Sequence, residues 1–255
     1  MCRTIAFANR KGGSGKTATT VNVAAFLAHK GYTTLMVDLD PQAHASISVG
    51  VSPYRLKSCM RDLLLEDEVG PMDIMCETVF PKLHLLPASH HLECIDGILE
   101  KKDSPETVLA EKLEPLLDQY DFILFDCPAT PGFLLKNAMV AAQELLIPMQ
   151  TQFLAMEGLA QMTRMVYEIN ATFNSALRII GVVPTLSNLR TRLAKSILSE
   201  VRKNFGYGFL YPTIRLDIRL AESPSYGQPI LHYAPRSHGS EDYERLTECV
   251  LKTSH

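Results

Sequence analysis

Near the N-terminus the stretch Asn9-Arg10-Lys11-Gly12-Gly13-Ser14-Gly15-Lys16-Thr17 combines glycines, lysines and a closing hydroxyl. Backbone N–H groups exposed by glycine and aimed by a following helix N-terminus surround an anion, which the helix dipole also favours. Lys16 has the reach to lie against β- and γ-phosphates, and the Thr17 hydroxyl is a group that ligates Mg²⁺. The usual spacing, G-x-x-x-x-G-K-[ST], calls for glycine at position 10, where this chain has Arg10, and it has no requirement for Lys11. The loop is a glycine short and a cation long.

Attack of water on a γ-phosphate needs carboxylates close to the metal and the nucleophile. Asp38 and Asp40 end the run "LMVDLDPQ", and Asp126 ends "FILFDCPAT". One aspartate at a strand end is ordinarily a turn former. Three of them behind apolar runs, in a chain that also carries the loop, point to a nucleotide site with a metal.

Elements must bring these residues together. Short apolar runs with little alternation recur at 4–9, 33–38, 83–87, 122–126, 144–148, 178–184 and 208–214, and such runs suit strands buried on both faces. Helical patterns separate them. Val21, Ala24, Ala25 and Ala28 fall at helical spacing before Gly31, while Ser104 and Pro105 read as the N-cap and first residue of another helix. Two more patterns cover "EGLAQMTRMVYEINATFN" and "TRLAKSILSEVRKNF". Alternating strand and helix predicts an α/β fold, a doubly wound and mostly parallel sheet with helices on both faces and ligands at the carboxyl ends of its strands. Residues 50–82 read as an irregular surface excursion rather than a second domain, so 1–255 is expected to form a single P-loop ATPase domain.

Composition narrows the classes. The chain has 255 residues, 46% of them hydrophobic, and a formal charge of -3, so a nucleic-acid role would rest on a local patch. Six cysteines without a C-x-x-C pair, and Arg3 within the first apolar run, predict a reducing, cytoplasmic setting with no secretory signal. No apolar run approaches the roughly 18 to 20 residues that span a bilayer.

"KGGSGKTATTVNVA", "VDLDPQAHAS", "YDFILFDCPAT" and "RLAESPSYGQPI" resemble the ParA/MinD family of P-loop ATPases with a deviant Walker A motif, specifically Soj-like ParA partition proteins. The likeness runs from residue 3 to about residue 250. It implies ATP and Mg²⁺ as cofactors, with Gly12, Gly13, Ser14, Gly15, Lys16, Thr17 and Ala18 around the phosphates. Lys11 is then the family's signature lysine, reaching across an ATP-sandwich homodimer to the partner's phosphates. Asp40 is implied to position the hydrolytic water, Asp38 to support the metal or water shell, and Asp126, with Thr17, to hold Mg²⁺. Two departures stand out: Ala129-Thr130 where relatives commonly have Pro-Ser, and Arg215 in place of a proline that often borders the adenine.

Between 190 and 203, Arg190, Arg192, Lys195, Arg202 and Lys203 face a single acid, Glu200, and Leu193, Ile197, Leu198 and Val201 read as the buried stripe. Periodicity alone describes a solvated helix face. The resemblance turns Arg190, Arg192, Lys195, Arg219 and Arg236 into a candidate surface for nonspecific double-stranded DNA, with a ParB-like protein stimulating a slow ATPase and a nucleoid-associated location. No base-reading motif is evident. Metal- or Cys-based chemistry is not expected either: His90, His91 and Cys94 lack further ligands at metal spacing, and Cys127 reads as a small buried residue. The acid-rich C-terminal segment, with Tyr243, Leu246 and Val250, reads as docking on the core rather than on a membrane.

Overall fold

The structure, a computed structural model, describes residues 2–152, 154–187 and 191–253. Seven strands form one sheet: β1 (Arg3–Phe7), β2 (Thr34–Asp38), β3 (Cys76–Glu77), β4 (Leu83–Leu86), β5 (Phe122–Asp126), β6 (Glu144–Gln150) and β7 (Arg178–Thr185). Their order is β3-β4-β2-β5-β1-β6-β7, and every pairing is parallel except β3 with β4. The connecting helices are α1 (Lys16–His29), α2 (His44–Ser48), α3 (Met60–Leu65), α4 (Pro71–Ile74), α5 (Asp96–Leu99) and α6 (Val108–Leu113). They continue with α7 (Phe133–Ala141), α8 (Ala155–Thr172), α9 (Arg192–Phe205), α10 (Ile218–Glu222), α11 (Ile230–Tyr233) and α12 (His238–Lys252).

Each strand sends alternate side chains to opposite layers. Ala6, Leu35, Val37, Ile123 and Phe125 meet one group of helices, α3 and α5 to α9, while Ile5, Phe7, Met36, Phe122 and Leu124 meet α1, α11 and α12. Both layers being apolar explains why the strands read as unbroken runs. The chain moves from β1 to β2 on one side and from β5 to β6 on the other. That reversal opens a crevice at the carboxyl end of β1, where the glycine loop sits.

Four expectations are corrected. Residues 208–214 do not form a strand: a 3-10 turn (Tyr207–Phe209) gives way to one isolated bridge onto β7, Leu210 with Val182, with Pro212 unable to donate to a ladder. Ser104 and Pro105 do not open a helix, since α6 starts at Val108 after Thr107. In α9 the buried stripe is Ala194, Ile197, Leu198 and Val201, and Leu193 is 49% exposed. The 50–82 excursion contributes Met60, Leu63 and Leu64 to the core with no exposure at all. It also returns as the antiparallel edge strand β3.

The C-terminal helix α12 docks as expected, burying Tyr243, Leu246 and Val250 against α1. Beside it, the turn after α10 meets the end of the segment that follows β2. An added Cβ on Gly227 would lie 2.8 Å from the Cα of Gly50, so the two backbones are in direct contact.

Candidate nucleotide site

The loop after β1 is held from outside. Asn9, buried, donates from Nδ2 to the Pro148 carbonyl at 2.7 Å and accepts the Lys11 N–H at 3.0 Å. The Gly13 carbonyl accepts from Gln150 Nε2 and the Ser14 carbonyl from Thr185 Oγ1, both at 2.6 Å. Carbonyls engaged on the β6–β7 side leave the neighbouring N–H groups for the other. Gly13 and Gly15 adopt φ of 70° and 85°, which side chains resist, and Gly15 also lies close enough to Thr185 that a Cβ would approach its Cγ2 to 3.2 Å. The loop then enters α1, whose first turn carries no acid to compete for an anion.

A cleft of about 390 Å³ is lined by Gly12 to Ala18 together with Asp40, Gln42, His44 and Ala129. Lys16 is among the buried residues of this lining, while Lys11 is not part of it. Lys11 Nζ instead donates to Gln152 Oε1 at 2.6 Å, and among the described residues it has no carboxylate partner.

Asp38 and Asp126 are register partners on β2 and β5, so their carboxyls emerge at one level. Both are fully buried. Asp38 is saturated by its own chain: Oδ2 accepts the Ser46 N–H at 2.8 Å and the Ser46 hydroxyl at 2.7 Å, and Oδ1 accepts the Asp40 N–H at 3.2 Å. Its role in this geometry is to fold the segment 40–46 over the cleft. Asp40 in turn accepts the Gln42 N–H at 3.0 Å. Burial pushes the Asp38 carboxyl up to about 7 against those hydrogen bonds. Burial, and then the neighbouring Asp38, hold the Asp126 carboxyl well above the usual carboxylate range.

Asp126 differs in one respect that bears on a metal. Its Oδ1 is 3.4 Å from the Thr20 hydroxyl and Thr17 lies close enough to favour the charged carboxylate, yet Oδ2 is buried with no partner. A buried carboxylate oxygen left unsatisfied costs on the order of several kcal/mol unless a cation or water meets it. The residues present therefore fit Mg²⁺ beside Thr17. Ser14 Oγ, in the cleft lining, is likewise buried and unpartnered.

A second cleft, of about 530 Å³, shares Gly15 and Ala18 with the first and is walled by Leu186, Ile214, Leu216, Ile218, Leu220 and Tyr243. An apolar slot beside a phosphate cradle suits a planar base. Arg215 stays out of it. The guanidinium turns to α12, donating to the buried Asp242 at 2.7 to 3.1 Å and to Glu241 at 2.7 Å.

Comparison with known proteins accords with this geometry. Residues 2–179 match the AAA_31 family model, described as an AAA domain. The sporulation initiation inhibitor protein Soj of Bacillus subtilis is 37% identical over 250 residues, covering 98% of both chains. The chromosome-partitioning ATPase Soj of Thermus thermophilus is 38% identical, covering 98% of this chain and 95% of its own. The chain belongs to the ParA/MinD family of P-loop ATPases, close to its Soj-like partition members. Among solved structures, cobyrinic acid a,c-diamide synthase from Mycobacterium smegmatis with bound ADP and magnesium superposes with a TM-score of 0.86 at 29% identity, over 99% of this chain and 95% of that one.

In this ParA/MinD-family chain the structure gathers Gly12 to Ala18 and Asp40 around one cleft, with Asp126 near Thr17 and Thr20 and with Asp38 hydrogen-bonded to the segment that carries Asp40. His44, Gln150 and Thr185 escaped sequence reasoning. They come from α2 and from the ends of β6 and β7; His44 lies within the "VDLDPQAHAS" stretch without standing out from it, and no local motif marks Gln150 or Thr185. Arg192, Lys195, Arg219 and Arg236 are exposed and, among the described residues, make no ion pair; Arg190 lies outside the described residues. The described residues contain no cluster of three or more metal-type ligands, which includes the His90, His91 and Cys94 neighbourhood.

Proposed function

We propose that the chain is a partition ATPase that binds ATP with Mg²⁺, pairs with a second copy around the nucleotide, and holds double-stranded DNA without sequence preference until hydrolysis. The observation that carries this reading is Lys11. It is a cation at the lip of a phosphate cleft, absent from the cleft's own lining and, among the described residues, without a carboxylate partner.

Gly12 to Ala18 bind the phosphates through the loop's N–H groups, with the Lys16 ammonium against the β- and γ-phosphates. Thr17 and Asp126 hold Mg²⁺, which when bound supplies charge neutralisation for the leaving phosphate oxygens. Asp40 orients the attacking water, and Asp38, through Ser46, keeps Asp40 over the cleft. Leu216, Ile218 and Tyr243 enclose the base. Lys11 of each copy reaches the other's phosphates, so nucleotide binding and dimerisation become one event.

DNA is retained through Arg190, Arg192, Lys195, Arg219 and Arg236, which give salt-sensitive phosphate contacts. Two copies double that set, and linked sites raise avidity by about 100-fold or more. Hydrolysis is slow alone and stimulated by a ParB-like protein, which gives a cytoplasmic, nucleoid-associated cycle. No described helix is long and apolar enough to cross a membrane, and the apolar stripe of α12 is buried in the core.

The test is retention on nonspecific duplex DNA with ATP or ADP at two salt concentrations, alongside chromatography for the dimer. Asp40→Ala is expected to accumulate as an ATP-bound dimer on DNA, and Arg219→Glu to dimerise normally with weaker retention. DNA binding that ignores both nucleotide and salt contradicts the reading.

A further inference from the structure

A third cleft, of about 430 Å³, opens on the sheet flank opposite β7, between the turn before α3 and the turn after β4. Tyr54 stands at its mouth, 83% exposed, its ring centroid 6.2 Å from that of His90, which in turn lies 4.0 Å from His91. Lys57 and Arg61 line the cleft, and the exposed Arg55 adjoins it.

The positive charge here is only partly compensated, Asp62 being the one acid in the lining. Among the described residues Arg55 and Lys57 have no ion-pair partner, and Arg61 has only Asp62 at 3.4 Å. The other oxygen of Asp62 is engaged by the Cys59 N–H at 2.8 Å. The walls are built rather than loose: Cys59 Sγ and Ser89 Oγ meet at 3.1 Å in the interior, and the Met60 N–H donates to the Pro87 carbonyl at 2.9 Å. None of these side chains takes part in the nucleotide site.

We propose that this cleft docks a short acidic segment of a partner protein, its carboxylates on Lys57 and Arg61 and an apolar side chain against Tyr54. Exposed tyrosine beside arginine is the pairing that dominates protein-binding hot spots. The surroundings select a short ligand. The chain turns acidic as it leaves either wall, through the exposed Glu66 and Glu68 after α3, with Asp67 between them paired to Lys102 at 2.8 Å, and through the exposed Glu93 and Asp96 after the histidines. A long polyanion meets repulsion on both sides, and a duplex is too wide for a cleft of this volume. A few carboxylates on a flexible peptide fit between the acidic margins. The proposal is independent of nucleotide and of the DNA surface on α9 and α10.

The experiment is fluorescence anisotropy of the full chain with a labelled tryptophan–pentaglutamate peptide, and in parallel with a labelled oligothymidylate of about 20 nucleotides. Saturable peptide binding is expected, weakened about tenfold or more by the double variant Lys57→Glu/Arg61→Gln and about threefold by Tyr54→Ala. Both variants should keep wild-type melting temperature and ATP turnover, since neither touches the nucleotide cleft. Absence of saturable binding, or equal affinity in the folded double variant, overturns the proposal. Tighter binding of the oligonucleotide that the same double variant abolishes also overturns it, and assigns the cleft to single-stranded nucleic acid.

Discussion

Two buried aspartates at one level of the sheet do different work. Asp38 spends all its acceptors on its own chain, whereas Asp126 keeps Oδ2 unmet. Both carboxyls are raised, so the folded protein holds their protons more tightly than the unfolded chain does. For Asp38 this contribution to stability is fully present below the ordinary value of 3.8 and is lost as pH rises through about 7. Asp126 shifts in the same direction. Asp126→Asn should therefore stabilise the Mg²⁺-free protein at pH 8 by about 1 to 3 kcal/mol, with a smaller gain at pH 5. Thermal melts at the two pH values check this, and a lower melting point at pH 8 contradicts it. The same variant should lose magnesium-dependent nucleotide affinity, measured by titration with and without the metal. The loop and its aspartates were legible because each sits at the end of an apolar run, where spacing along the chain reports position in space. Gln150 and Thr185 were not, because their contribution is a hydrogen bond to a carbonyl more than a hundred residues away.

Among the elements, the unbroken apolar strands were the most legible, since burial on both faces removes alternation. Residues 208–214 carry the same composition, yet Pro212 and the turn at Tyr207–Phe209 leave only the one bridge from Leu210 to Val182 of β7. Composition reports burial there, not pairing. β3 was illegible for the opposite reason, being two residues long with neither face fully covered. The segment around Arg215 departs from the family pattern, and the structure gives that departure a partner: the guanidinium ties the wall of the base cleft to Asp242 of α12. Arg215→Ala would leave Asp242 buried with only the backbone N–H of residue 215. A loss of about 2 kcal/mol is expected, together with weaker nucleotide binding because Leu216 and Ile218 lose their anchor. Denaturant titration and nucleotide titration measure the two effects separately. An unchanged nucleotide affinity in the destabilised variant would remove Arg215 from any part in base binding.

For the whole molecule, the doubly wound sheet puts the phosphate cleft at the reversal of strand order and leaves Arg192 and Lys195 of α9 and Arg219 of α10 exposed. Lys11→Ala tests whether two such molecules close on nucleotide. It should bind ATP as a monomer yet fail to dimerise, and sedimentation at saturating ATP reads this directly; a dimer of normal stability would refute the assignment. Sequence patterning could reach this architecture but not the contact between Gly50 and Gly227, which lie 177 positions apart (227 − 50). Side chains normally cushion neighbouring segments, because rotamers adjust when a backbone shifts. Here there is none to adjust. Displacement of the segment that runs from Asp40 to Gly50 therefore bears directly on the turn at Gly227, which follows α10 and its Arg219. The two segments are geared rather than padded, and Gly227→Ala should strip a tooth: strain at its φ of 62° plus the collision with Gly50 should lower stability by about 2 kcal/mol or more.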